Sequence, residues 1–203
     1  MDPQPIVLTG RHVRLEPLTP DHAADLLAAL LADVSIWQWL PVPPPTTLAA
    51  MEDWIAGALV VQATGGQIAW AQIDQATGRA VGSTRYLNIS RHDHGLEIGW
   101  TWLGRPWQRT AVNTEAKYLL LRHAFDELGA ARVQLKTDLR NVQSQTAIAR
   151  LGAVREGVLR KYQLVQHGFI RDTVMFSIID AEWPAVRADL EAKLAAYPAL
   201  PGV

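Results

Sequence analysis

Cysteine is absent from the chain. That absence removes disulfides, thiolate metal ligands and a cysteine nucleophile together, and leaves the fold to stand on its core. Long apolar runs are missing too: none approaches the roughly 20 residues needed to cross a bilayer. The N-terminal stretch MDPQPIVLTGRHVRLEPL carries Asp2 and prolines where a signal peptide has an apolar segment. A disulfide-free chain with neither feature is expected to be cytoplasmic, with no membrane partner. Excess positive charge is lacking as well. The formal net charge is −1, which argues against a general nucleic-acid binder. There is no internal repeat or low-complexity segment, and no G-x-S-x-G or triad context. Among the 6 histidines only His92 and His94 are close-spaced, in an acidic loop, so no metal site is expected.

What is present reads as one folded domain spanning residues 1–203. Apolar residues make up 49% and charged residues 19% of the 203 residues, enough for a sizeable core. Tryptophan dominates the aromatics, with 8 against 4 tyrosines and 3 phenylalanines, and most of these should line core or cleft. The charge is unevenly placed. Residues 1–104 sum to −5, residues 105–161 to +6 and residues 162–203 to −2. A compact anionic partner for the middle segment follows, unless those charges are spread over solvated faces.

Periodicity and punctuation predict the elements. RHVRLEPL (11–18) alternates as a strand, and Pro20-Asp21 starts a helix to about Asp33. SIWQWLPVPPPTT (35–47) is a proline-rich loop, of a length that suits a lid or specificity loop. A second helix covers about 47–63, and strands at 67–74 and 80–89 form a hairpin, followed by a strand at 96–103. A long helix then runs to Leu128, stopped by Gly129. A strand (132–139), a helix (141–152), a hairpin turning at His167-Gly168 and a closing helix complete the chain. This order predicts an α/β (α+β) domain: a mixed central sheet of about six to seven strands flanked by helices. The strand–helix–strand unit at 96–139 is its parallel crossover.

That crossover contains WQRTAVNTEAK (107–117), a helix start with no acidic residue before Glu115. Helix mouths hold N–H groups without intrahelical partners and the positive end of the dipole, which suits an anion such as phosphate. Thr110, Asn113 and Thr114 are equally competent caps, and both readings stand on these residues alone.

Several segments together resemble the GNAT acetyltransferases. Gln108-Arg109-Thr110-Ala111-Val112-Asn113 aligns with the family's Q/R-x-x-G-x-G/A pyrophosphate loop. The continuation Thr114-Glu115-Ala116, the preceding Glu97-Ile98-Gly99-Trp100, Asn141-x-x-Ser144 before Leu151-Gly152, Glu156-Gly157 with Arg160, and Arg171-Asp172 resemble its RimJ/RimL branch, which acetylates N-termini of ribosomal proteins. Ala111 and Asn113 depart from the pattern, which has Gly and Gly/Ala there. The resemblance covers about Arg11 to Trp183. It implies a GNAT-like domain with a CoA cleft between splayed parallel strands, and acetyl-CoA as cosubstrate, its pyrophosphate on N–H groups of residues 109–114.

The resemblance also assigns roles. Backbone near Trp102 or Leu103 polarises the thioester, Asn141 contacts pantetheine, and Ser144 is the acid or a hydrogen-bond donor to sulfur. A tyrosine acid used by many members is replaced by Ile148. Glu97 is the candidate base or amine ligand. By alternation it lies opposite Leu96, Ile98 and Trp100 and beside Gly99 and Thr101; otherwise it is a surface glutamate. Glu115 is assigned to the helix dipole. Trp37, Trp39, Arg85 and Tyr86 are expected to shape the acceptor pocket. The expected function is acetyl transfer from acetyl-CoA to a primary amine by a monomer or homodimer. The rival is a CoA-binding but catalytically silent sensor or scaffold.

Overall fold

The structure is a computed structural model that describes residues 1–198. Its strands are β1 (Leu8–Thr9), β2 (Val13–Pro17), β3 (Gln67–Asp74), β4 (Ala80–Ser90), β5 (Gly95–Leu103), β6 (Arg132–Asp138), β7 (Val154–Leu164) and β8 (Ile170–Ile179). They form one sheet in the order β1-β2-β3-β4-β5-β6-β8-β7. The sheet thus has eight strands where six to seven were expected. The addition, β1, is two residues long, too short to show a period of two. Helices α1 (Ala23–Leu31), α2 (Leu48–Ala63), α3 (Ala111–Arg122), α4 (Val142–Arg150) and α5 (Trp183–Ala195) flank it. The first helix opens later than the sequence suggests, because Pro20–His22 form a 3-10 turn. Beyond Arg122 the long helix loosens into a π turn over His123–Glu127 before Gly129, which stands at φ +65°.

Two apolar clusters lie on the two faces of the sheet. Leu15, Trp70, Ile98, Leu119, Leu120 and Phe176 pack on the α3 and α5 side. Leu26, Leu30, Trp37, Met51, Ile55 and Trp102 pack on the α1 and α2 side. On that second face the rings of Trp37, Trp54 and Trp102 meet edge-on or tilted, with centroids 5.2–6.4 Å apart.

Only β5 and β6 run parallel, and only three residue pairs join them, Gly95–Glu97 against Arg132–Gln134. Beyond Glu97 the two strands part. A bulge accompanies the parting. Ser83 and Arg85 of β4 face Trp102 and Gly99 of β5, so one extra residue is inserted in β5, and Trp100 sits at φ +50°. The bulged backbone is held from below. Gln72 Nε2 donates to the carbonyls of Ser83 and Trp102 at 3.2 and 3.1 Å. Gly82 allows the approach: a Cβ there would stand 2.3 Å from the Trp102 carbonyl oxygen.

Glu115 has a different task from the one expected of it. Its carboxylate accepts the N–H groups of Arg11, His12 and Val13 at 2.9, 2.5 and 2.7 Å, fastening the β1–β2 turn to α3. Gly10 makes room, since a Cβ there would lie 2.4 Å from the Glu115 carboxyl carbon. Removing the carboxylate leaves three N–H groups at a largely buried position without their acceptor. Glu115→Ala should therefore lower the unfolding free energy by about 3 kcal/mol, and Glu115→Gln by less, as read from urea denaturation midpoints.

Candidate active site

The helix mouth is capped and leaves several N–H groups without acceptors among the described residues. Thr110 Oγ1 accepts the Val112 N–H at 3.3 Å and donates to the Trp107 carbonyl at 2.7 Å. That uses one N–H. The N–H groups of Arg109, Thr110, Ala111 and Asn113 meet no acceptor among the described residues. Arg109 bends the chain into the mouth at φ +61°, a conformation few residues other than glycine adopt. The unusual dihedral thus falls on Arg109, while Ala111 and Asn113 lie within α3 and need no glycine. Gln108 ties the loop to the end of β5 through Nε2 and the Leu103 carbonyl, 3.0 Å apart. The side chains of Ala111 and Val112 turn into the core, and only their backbone is available.

From this mouth a cleft of about 770 Å³ runs between the parted strands, within the range of small-molecule sites. Trp102 and Leu103 form its β5 wall, and Asn141 and Ser144 its α4 wall. Asn141 caps α4, its Oδ1 accepting the Ser144 N–H at 3.0 Å. Gln108, Arg109, Thr110, Asn113 and Thr114 line the entrance, where Arg105, Arg150 and Lys193 add positive charge. Part of the basic middle segment therefore does converge. Others are paired elsewhere, as with Arg132 and Glu156 or Arg140 and Asp138.

At the inner end stands Glu97, which is not a surface residue: 1% of it is exposed. Its Oε2 accepts from Asn88 Nδ2 at 2.8 Å, Gln134 Nε2 at 2.9 Å and Lys136 Nζ at 3.1 Å. Its Oε1 lies against Gly99, where a Cβ would approach to 3.0 Å. The bulge also breaks the alternation on which the face assignment rested. Arg85 faces Gly99 in register, and its guanidinium lies 4.5 Å from the Trp100 ring centroid, so Trp100 shares a face with Gly99 and Glu97.

Three expected acceptor residues lie elsewhere. Trp37 is buried among the α1 and α2 helices and holds the proline-rich loop, donating from Nε1 to the Val42 carbonyl at 2.9 Å. Arg85 is enclosed between Trp54 and Trp100, and burial brings its guanidinium down to about 10. Tyr86 is wholly buried on the opposite face, its hydroxyl donating to the Leu120 carbonyl. Arg85 and Tyr86 belong to a strand that is covered on both sides. Trp39 does line the cleft, and its carbonyl accepts from Arg171 Nη1 at 3.3 Å.

Sequence reasoning missed Lys136 and Lys117. Lys136 has a signal: it follows the buried Leu135 on β6 and so faces the Glu97 side. The signal for Lys117 is a charge four residues after Asn113, surrounded in sequence by the buried Ala116, Leu119 and Leu120. Its Nζ donates to Thr84 Oγ1 at 3.1 Å and Thr101 Oγ1 at 2.5 Å, in the floor of the cleft. No ion pair reaches it among the described residues, and burial pushes the ammonium down to about 7. The unfolded chain keeps a lysine proton to about 10.4. The folded state therefore binds fewer protons between those values, the lysine's destabilising effect is complete below pH 7, and it fades as pH rises toward 10. Lys117→Met should raise stability by a few kcal/mol at pH 6 and by much less at pH 9.5, measured by urea denaturation of both proteins at each pH.

Comparison with known proteins agrees with this geometry. The sequence model of the acetyltransferase (GNAT) domain matches residues 12–154. The uncharacterised N-acetyltransferase p20 of Bacillus licheniformis is 26% identical over 176 residues, which cover 87% of this chain and 94% of that protein. Among solved structures, a GCN5-related N-acetyltransferase from Brucella melitensis superposes with a TM-score of 0.89 at 33% identity, over 97% of this chain and 88% of that one. RimJ of Mycobacterium smegmatis, solved in complex with CoA-disulfide, shares the fold at 22% identity, with a TM-score of 0.79 over 92% of this chain and 91% of that one.

Proposed function

The chain belongs to the GNAT acetyltransferase family, resembling its RimJ/RimL branch, and we propose that it transfers the acetyl group of acetyl-CoA to a primary amine by direct attack in a ternary complex. The observation that carries this reading is the cleft between parting parallel strands with a row of unpartnered N–H groups at its entrance. An anion of pyrophosphate size meets there the backbone of residues 109–113, the α3 dipole and the Arg109 side chain. That RimJ of Mycobacterium smegmatis, which shares the fold, was solved with CoA-disulfide supports a CoA-type substrate.

Acetyl-CoA, the substrate that brings the activated thioester, supplies an acyl group that needs only a neutral amine and a place for negative charge. Asn141 holds the pantetheine arm, and the β5 backbone at Trp102 and Leu103 lies along it. Glu97 receives the acceptor. With Oε2 occupied by three donors, Oε1 is left to accept a hydrogen bond from the amine and to take its proton, directly or through water. Ser144 donates a hydrogen bond to the sulfur. The acceptor enters between Trp39 and Trp100 from the α1–α2 side; it is a protein N-terminus, an amino acid or a small amine. The catalytically silent alternative rested on Ala111 and Asn113, which cost the loop no conformation, and on Ile148 in place of the tyrosine acid.

A screen of amines with free-thiol detection tests the reading. Turnover with at least one primary amine is expected, and absence of binding at millimolar acetyl-CoA by calorimetry would sink it. Arg109→Ala should weaken acetyl-CoA roughly two- to fivefold at low salt and less at high salt, because an exposed guanidinium acts through a screened charge. Glu97→Gln should leave acetyl-CoA affinity nearly intact and lower the rate by roughly 10²-fold or more, provided the melting temperature is unchanged. A wild-type rate at saturating amine across pH 6–9 would remove Glu97 from the proton chemistry.

A further inference from the structure

We propose that Lys117, held by the hydroxyls of Thr84 and Thr101 beneath the β5 bulge, delivers the proton that the departing CoA thiolate takes up. The proposal rests on the acetyl-transfer reading above. It gives the step a donor in a chain whose α4 carries Ile148 at the family's tyrosine position.

The placement follows from helix geometry. Thr110, Asn113, Thr114 and Lys117 form one row on α3, and all four line the cleft. The row begins at the unpartnered N–H groups of the mouth and ends about 10 Å further along the axis. There the Lys117 side chain reaches Thr101, one residue past the bulge and next to the Trp102–Leu103 wall. A thioester threaded from the mouth toward Glu97 passes this point.

The chemistry requires an acid of this kind. As the amine nitrogen forms the C–N bond, the C–S bond breaks and its electron pair goes to sulfur. Lys117 gives up one ammonium proton to that sulfur, while the new amide loses its extra proton to Glu97 or water. Solvent then reprotonates the lysine, and the sum is amine plus thioester giving amide plus thiol. Ser144 can stabilise the sulfur by a hydrogen bond, but an alcohol is a far weaker acid than a thiol and does not surrender its proton to a thiolate.

The surroundings leave Lys117 free to exchange its proton. From β4, Thr84 accepts from it, while Tyr86 on the same face is engaged with Leu120. From β5, Thr101 accepts from it, while Glu97 is engaged with Lys136 on the other face. On α3 itself Glu115 is turned to the β1–β2 turn, and His123 stacks on Tyr86. α4 lines the same cleft with Gln143, Ser144, Thr146, Ala147 and Ile148, and its one charged residue there, Arg150, stands at the entrance. No counter-ion among the described residues fixes the ammonium, and burial brings it to about 7, where a group both gives and regains a proton readily. A purely structural residue at this site would be apolar.

The experiment follows the thiol of bound CoA by thiolate absorbance against pH, in the wild type and in Lys117→Met, alongside kcat with whichever amine is turned over. The wild-type complex should ionise its thiol about one pH unit lower than the variant complex. The variant should lose at least roughly 30-fold in kcat, with acetyl-CoA affinity changed less than threefold. Thr101→Val removes one holding hydroxyl at constant shape and should move both readouts the same way by a smaller amount; it carries the test if Lys117→Met does not fold. Unchanged thiol ionisation, or kcat within threefold of wild type, overturns the assignment. The thiol titration needs CoA but no acceptor. A shifted thiol with no turnover of any amine would therefore count against acetyl transfer and leave the lysine–thiol pairing standing, whereas normal turnover in Lys117→Met would count against the lysine alone.

Discussion

After Glu97 and Gln134 the parallel ladder of β5 and β6 ends, and the two strands leave each other with main-chain groups facing a gap. Buried backbone polar groups need partners, so such a gap persists only if it is wide enough for water or for a ligand that supplies them. Much of the surrounding structure keeps it open. The bulge at Trp100 turns β5 away, Gln72 binds the bulged carbonyl from the α3 side, and Gly82 lets β4 follow closely. On the far side β6 remains zipped to β8 through seven residue pairs, Arg132–Asp138 against Ile179–Thr173. The cleft is thus a consequence of two well-paired half-sheets joined by three residue pairs.

One helix then links stability to chemistry. The first turn of α3 presents free N–H groups, its second turn sends Glu115 to fasten the N-terminal hairpin, and the following residues carry Lys117 into the cleft floor. Glu115 and Lys117 are two apart, so they leave the helix in nearly opposite directions. One is a satisfied buried carboxylate that holds the fold. The other is a buried amine without a counter-ion, which weakens it. A site that keeps such a group against a stability cost is what function, rather than packing, selects.

Much of this was legible in the sequence because the elements are locally consistent. The strand at Gln67–Asp74, the glycine stops at Gly129 and Gly152 and the turn at His167-Gly168 all fall where pattern and turn chemistry place them. The cap at the helix mouth was legible from residue types alone. The bulge was not, because a single inserted residue leaves no mark on alternation, and that error reversed the face of Trp100 relative to Glu97. Arg85 and Tyr86 were misjudged for a related reason. A strand covered by α2 on one face and α3 on the other buries polar residues on both, and alternation cannot tell a covered face from an open one. Glu115 and Lys117 depend on partners more than 15 residues away, beyond the reach of any local pattern.

The cleft's charges are divided in a way that suits two different substrates. Toward the mouth stand Arg105, Arg109, Arg150 and Lys193; Arg105 lies 3.8 Å from Asp33 and Lys193 2.5 Å from Asp189, both partly exposed carboxylates, so the local excess is still positive. At the inner end the charges are nearly balanced, Glu97 against Lys136 with Arg171 behind them. A free carboxylate there would bind any cationic amine tightly and keep it protonated, which is the wrong form for attack on a thioester. Bound on one oxygen by an ammonium and two amides, Glu97 can orient an amine through the other oxygen without adding a full uncompensated negative charge to hold its proton. On the proposed acetyl-transfer reading, the lysine beside the carboxylate is part of how the site receives an amine in its neutral state.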